Sequence, residues 1–167
     1  NNLETFYRFF HSSFAGFFKT PQQIQKLFET TSGVKPDRSR SQPRPHVVHF
    51  YRDRDEYRRT LRKRIPQIDI TNGLYMPDDR IAYFFHGPPA DPPFPRATLF
   101  HEATHQLLHE SQSRQRPIAP EANFWSIEGF ACYMESFRPL PTGDRIGDPQ
   151  YVRFYWARKR VLDERYY

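Results

Sequence analysis

The stretch Thr98–Glu110, TLFHEATHQLLHE, decides how the chain is read. Leu99, Phe100, Ala103, Leu107 and Leu108 recur at helical spacing, as on a helix packed against a core. Inside that helix, His101, Glu102 and His105 form an H-E-x-x-H pattern. Residues four apart on a helix lie one turn over the other, so both imidazoles can face one ion. Glu102 sits a little round the helix, within reach of a metal-bound water. The competing reading is a core helix whose histidines are satisfied by packing. His109 extends the series by one turn, but it lies about 12 Å along the helix from His101, whereas zinc–nitrogen bonds are about 2 Å long. Nor does the chain continue into the H-x-x-G-x-x-H extension of the pattern. His109 is therefore read as a helix-end or surface histidine.

Two histidines leave a metal short of a third ligand, which should come from a separate element. Asn123–Phe137, NFWSIEGFACYMESF, supplies one in Glu128, which opens an E-G-x-A-x-Y run within a helical apolar pattern. A carboxylate among Phe124, Trp125, Ile127, Phe130 and Ala131 is costly to bury unless it is paired or bound to a cation. Gly129 and Ala131 are small where a second helix would have to approach the first closely.

These residues carry a resemblance. H-E-x-x-H followed by W-x-x-E-G-x-A-x-Y, with Glu128 twenty-three residues beyond His105, resembles the gluzincin metallopeptidases. With GLYMP at Gly73–Pro77, the chain is also similar to a little-characterised bacterial family of gluzincin type, known as a domain of unknown function. The likeness runs from about His46 to Phe137. It implies a zincin-like fold, Zn²⁺ held by His101, His105 and Glu128, and Glu102 as catalytic base. It also implies that Glu135, seven residues beyond Glu128 on the same helix face, stands behind the histidines and orients one of them. On spacing alone Glu135 serves equally well as an exposed helix glutamate.

The expected activity is hydrolysis of a peptide bond by a zinc-bound water that Glu102 deprotonates, with zinc polarising the carbonyl. The oxyanion needs a further donor, which gluzincins commonly take from a later Tyr or His. Tyr151 and Tyr155 are weak candidates here, with aromatic packing the stronger account of both. Either arm of the Leu74–Phe85 hairpin can hold an extended peptide by edge pairing, or be plain sheet. The alternative function is a catalytically silent zinc-binding scaffold or interaction domain of the same fold.

Outward from this centre, the N-terminal segment places Leu3, Phe6, Phe10, Phe14 and Phe17 on one helical face. Thr20–Pro21 starts a short helix to about Thr30, and Gly33–Pro45 is a polar loop with three prolines. His46–Tyr51 reads as a core strand and the following RDRDEYRRTLRKRI as a helix with alternating charge. Leu74–Phe85 reads as two strands around a Pro-Asp-Asp turn, and HGPPADPPFP as a stiff linker. Helices follow at about Arg96–Ser111, Glu121–Phe137 and Pro149–Arg165, joined by RQRPIAP and PLPTGDRIGD. The order predicts a single α+β domain over 1–167, with a small mixed sheet and hairpin beside the two motif helices.

Composition bounds the rest. The 167 residues suffice for one core, rich in 16 Phe and 10 Tyr. The net charge of +6 rests on Arg, and a solvated basic surface accounts for it better than nucleic-acid binding, for which there is no recognised motif. Salt-dependent attraction to DNA or RNA is the weaker reading. The single Cys132 excludes an internal disulfide and a multi-cysteine metal site. No run approaches the length of a membrane span. The start on Asn1 and the end on DERYY are those of a trimmed piece of a longer chain, so the compartment stays open. The expected partner is a peptide or protein substrate.

Overall fold

The computed structural model describes residues 2–18, 45–87, 96–110, 124–163 and 165, with side chains of the first helix described as far as residue 14. The expected helix from Thr20, the loop over 33–44, most of the proline-rich linker and the link over 114–120 lie outside the described residues. The fold is α+β. Helix α1 (Asn2–Phe18) is followed by strand β1 (Val47–Tyr51), helix α2 (Arg54–Leu61), a 3₁₀ turn (Ile68–Ile70), the hairpin β2 (Leu74–Met76) and β3 (Ile81–Phe85), and helices α3 (Arg96–Glu110), α4 (Phe124–Met134) and α5 (Val152–Val161). No described helix is long and apolar enough to cross a membrane.

The sheet is mixed, in the order β1-β3-β2, with β1 parallel to β3 and β2 antiparallel to it. Side chains of a strand alternate between faces, and β3 does this with apolar residues on both. Ala82 and Phe84 enter a core with Phe6, Phe10, Phe100, Leu107 and Met134; Tyr83 and Phe85 enter a second with Tyr51, Tyr57, Leu61 and Ile68 beneath α2. The strand is thus covered on both sides, with α3 on one and α2 on the other. Asp53 caps α2, accepting from the Glu56 N–H at 2.8 Å.

On the aromatic face of α1, Phe6 and Phe10 are buried and Leu3 and Phe14 partly so, as the spacing predicts, while the Phe17 side chain lies outside those described. Phe6 stacks on Phe100 of α3 with ring centroids 4.7 Å apart and meets Phe137 edge-on at 5.2 Å. Gly73 lets the start of β2 close on α3: a Cβ there would stand 2.8 Å from the Phe84 ring and 3.0 Å from Thr98 Cγ2. That contact seats the hairpin beside the H-E-x-x-H turn.

Three expectations fail. β1 is an edge strand rather than a core strand, with Val47 and Phe50 exposed and only Tyr51 buried. Gly129 faces open space, so the close approach of α4 to α3 falls to Ala131, which is fully buried. Phe124 and Trp125 are 64% and 74% exposed, so Glu128 is not enclosed by them. At its C-terminal end α4 stops at Met134, short of the expected Phe137, because apolar spacing runs on past the residues that the helix ladder includes; Ser111 and the stretch 121–123 lie outside the described residues.

Candidate metal centre

The centre is built where α4 crosses α3. The apolar stripe of α3, with Phe100, Ala103 and Leu107 fully buried, fixes the helix so that His101 and His105 face the other way, toward α4. Ala131 and Met134 anchor α4 in turn, and one turn before Ala131 the Glu128 carboxylate reaches the histidines. His101 Nε2 and His105 Nε2 are 3.1 Å apart, and the two oxygens of Glu128 lie 3.2 Å from the first and 3.3 Å from the second. Two ligands of a tetrahedral zinc ion, each about 2.0–2.1 Å from it, stand about 3.3–3.4 Å apart. Three donors that converge this closely, two imidazole nitrogens and a carboxylate, fit a divalent cation, and these residues form a group able to hold one.

A second grouping among the described residues, His101, Cys132 and Glu135, shares the first histidine. It fits less well, because Glu135 is already occupied. Its Oε1 lies 2.8 Å from His101 Nδ1, its Oε2 accepts from the Tyr151 hydroxyl at 2.6 Å, and Arg153 Nε donates to the same oxygen. The Glu135 side chain is only 2% exposed, so it is not the exposed helix glutamate that spacing alone allows. Burial disfavours its charge, but the bonds from His101, Tyr151 and Arg153 win and hold its pKa below the usual value. Since this carboxylate can only accept, His101 carries its proton on Nδ1, and its Nε2, which faces Glu128 and His105, keeps a lone pair available to a cation.

Burial opposes charge on His101 as well, yet Glu135, Glu102 and Glu128 outweigh it and raise its pKa; His105, with less help from carboxylates, is lowered by burial. Glu102 is the most perturbed acid of the centre. Burial pushes its carboxyl up to about 7, against the pull of the Tyr75 backbone N–H, which donates to Oε2 at 2.9 Å.

These side chains open onto a cavity of about 600 Å³ whose walls include Leu74, Tyr75, Asp78, His109 and Ile127 beside the metal group. Of the hairpin arms, β3 is central in the sheet, and among the described residues β2 is at the sheet edge, with its Tyr75 N–H already given to Glu102. The two tyrosines considered for the oxyanion are elsewhere. Tyr151 is committed to Glu135, and Tyr155 is 37% exposed beneath Lys159. Neither is packed in a core, and neither lines the cavity.

Sequence reasoning overlooked three participants. Tyr75, read only as a strand former, gives its N–H to Glu102. Arg153, with no motif around it, reaches Glu135. His109, read as a helix-end residue, lines the cavity. Contacts between elements far apart in the chain create all three roles, and no spacing rule reports them. Compared with protein-family models, with curated proteins and with solved structures, the chain matches none, so its chemistry has to be read from its own side chains.

Proposed function

We propose that this protein is a zinc-dependent peptidase of gluzincin type on a zincin-like fold, with His101, His105 and Glu128 as ligands. The observation that carries the reading is the convergence of two imidazole nitrogens, 3.1 Å apart, with the two oxygens of one carboxylate, at 3.2 and 3.3 Å from them, beside a buried carboxylate one residue from the first histidine. Zinc bound there would polarise a carbonyl and lower the pKa of water. Glu102 is the base: the Tyr75 N–H holds one of its oxygens, leaving the other to take the proton of the attacking water and pass it to the leaving amine. Glu135 keeps His101 in the tautomer that ligation needs, and Tyr151 and Arg153 keep Glu135 in place. An extended peptide would lie along the β2 edge of the cavity, where the Tyr75 N–H is already taken by Glu102.

Elemental analysis tests the centre. One zinc per chain is expected in the wild type and none in His105→Ala or Glu128→Ala; zinc retained without Glu128 means that the third ligand is another residue. Cleavage of internally quenched peptides tests the activity. A second reading, a zinc-holding scaffold without catalysis, is favoured by the position of Tyr151 and Tyr155 away from the cavity. A zinc-loaded wild type that cleaves no peptide selects it.

A further inference from the structure

The last turn of α3 carries a hydrogen-bonded chain that the metal group does not use. Tyr75 Oη lies 2.9 Å from His109 Nδ1 and 3.2 Å from Glu110 Oε1. The Glu110 side chain is 2% exposed, and its other partners are His46 Nδ1 at 2.9 Å, Gln106 Nε2 at 3.0 Å and the Arg80 guanidinium at 3.5 Å. Arg80 takes a left-handed backbone conformation, φ 58°, at the end of the hairpin turn. That conformation is strained for a residue with a side chain, and it occurs where the guanidinium reaches the buried carboxylate.

The directions of these bonds follow from what each group can do. Surrounded by four donors, Glu110 is a carboxylate that only accepts, so the tyrosine proton points to it. The hydroxyl oxygen then accepts from His109, which places the ring proton on Nδ1. His109 and Tyr75 both line the cavity that holds His101, Glu102, His105 and Glu128. With Nδ1 spent on Tyr75, Nε2 is the nitrogen that the ring has left for a ligand, and in this tautomer it is a lone-pair acceptor.

We propose that His109 is a substrate-binding residue: the Tyr75–Glu110 relay holds it in the Nδ1–H tautomer, and its Nε2 accepts a hydrogen bond from an N–H group of a peptide bound in the cavity. This rests on the peptidase reading for its ligand class, and it adds a polar subsite one helical turn beyond His105. The hairpin that gives its Tyr75 N–H to Glu102 thereby orders the subsite through the same residue's hydroxyl.

The test separates the two readings. Nitrogen-15 NMR of the His109 ring should show a protonated Nδ1 in the wild type. In Tyr75→Phe, which keeps the ring and removes the acceptor, the proton should redistribute toward Nε2. A wild-type ring protonated at Nε2, or a tautomer indifferent to Tyr75→Phe, overturns the inference whatever the activity. Internally quenched peptides added to zinc-loaded Glu102→Gln should shift the His109 Nε2 resonance without turnover. Absence of a shift while the peptides bind overturns the subsite and leaves the peptidase reading standing; a shift with no cleavage by wild type sinks the peptidase reading alone. In active protein, His109→Ala should raise KM roughly three- to tenfold at nearly constant kcat, as loss of one hydrogen bond made equally in ground and transition states. His109→Gln, which restores a carbonyl acceptor, should recover part of it. Zinc content should be unchanged in both, and zinc lost from His109→Gln would make His109 part of the metal site instead.

Discussion

The middle two turns of α3 and its last turn carry the same residue at the same spacing, and they do different things. His101 and His105 meet α4, whose Glu128 converges on both. His109, one turn further on the same face, meets the hairpin, and Tyr75 and Glu110 take its Nδ1 into a relay. Helical periodicity makes the three histidines equivalent; the elements that cross them make them different. A carboxylate brought to two imidazoles from outside the helix makes a group that could hold a cation, whereas a tyrosine backed by a buried carboxylate fixes one ring as a hydrogen-bonding group.

The sharpest way to break this comparison is to remove the function of the first half alone. Glu102→Gln keeps the shape of the site and its three ligands, so peptide cleavage should fall about 10²–10⁴-fold, the usual worth of a general base, with zinc content intact. Equal activity in the variant would remove Glu102 from the mechanism. Stripping the metal comes next. On the proposed reading zinc would bind only the folded site, so at free zinc a thousand times Kd chelation should cost about 4 kcal/mol of stability, read as a fall in the urea midpoint. Hydrogen exchange should show α4 loosening against the middle turns of α3 while the last turn keeps its protection. Uniform loosening would mean that the two halves are one unit.

Gln106 tests the other half. It is fully buried, accepts from the Tyr7 hydroxyl at 2.9 Å, and donates to the Val47 carbonyl and to Glu110, each at 3.0 Å. Gln106→Ala leaves those groups unpaired and should destabilise by about 1–3 kcal/mol in urea denaturation without loss of zinc. The smallest effect concerns the hairpin turn itself. Arg64, and after it the Tyr83 hydroxyl, lower the Asp79 pKa to about 2. A depressed carboxyl stabilises the fold above the ordinary range near 4 and loses that contribution as pH falls through its folded value. The difference in urea midpoint between wild type and Asp79→Asn should therefore be present at pH 7, amount to under about 1 kcal/mol at this open site, and be largely lost as pH falls from about 4 to about 2. A constant difference across that range would assign it to something other than the charge.

Much of this was legible in the chain. The aromatic spacing of α1, the hairpin, the apolar stripe of α3 and the α+β order are local patterns, and local patterns follow from helix and strand geometry. The gathering of His101, Glu102, His105 and Glu128 is partly of this kind, since four-residue spacing stacks the imidazoles in any helix. What failed was environment. Phe124 and Trp125 neighbour Glu128 in sequence and Gly129 offers room for the close approach of a second helix, but on α4 all three turn outward. β1 looked like a core strand because its residues are β-formers; whether a strand is central or at the edge depends on where its partners fall.

The amino-acid order alone therefore determined most of the described helices, the apolar faces of α1 and α3, and that two histidines and a glutamate could share an ion. Only the packed chain decided that Glu135 is buried behind His101 under Tyr151 and Arg153, that Tyr75 holds Glu102 with its N–H and His109 with its hydroxyl, and that His109 belongs to a cavity wall. The physical reason is range. Periodicity acts over a few residues within one element, while the proton position on an imidazole and the charge on a carboxyl are set by groups that arrive from elsewhere in the chain.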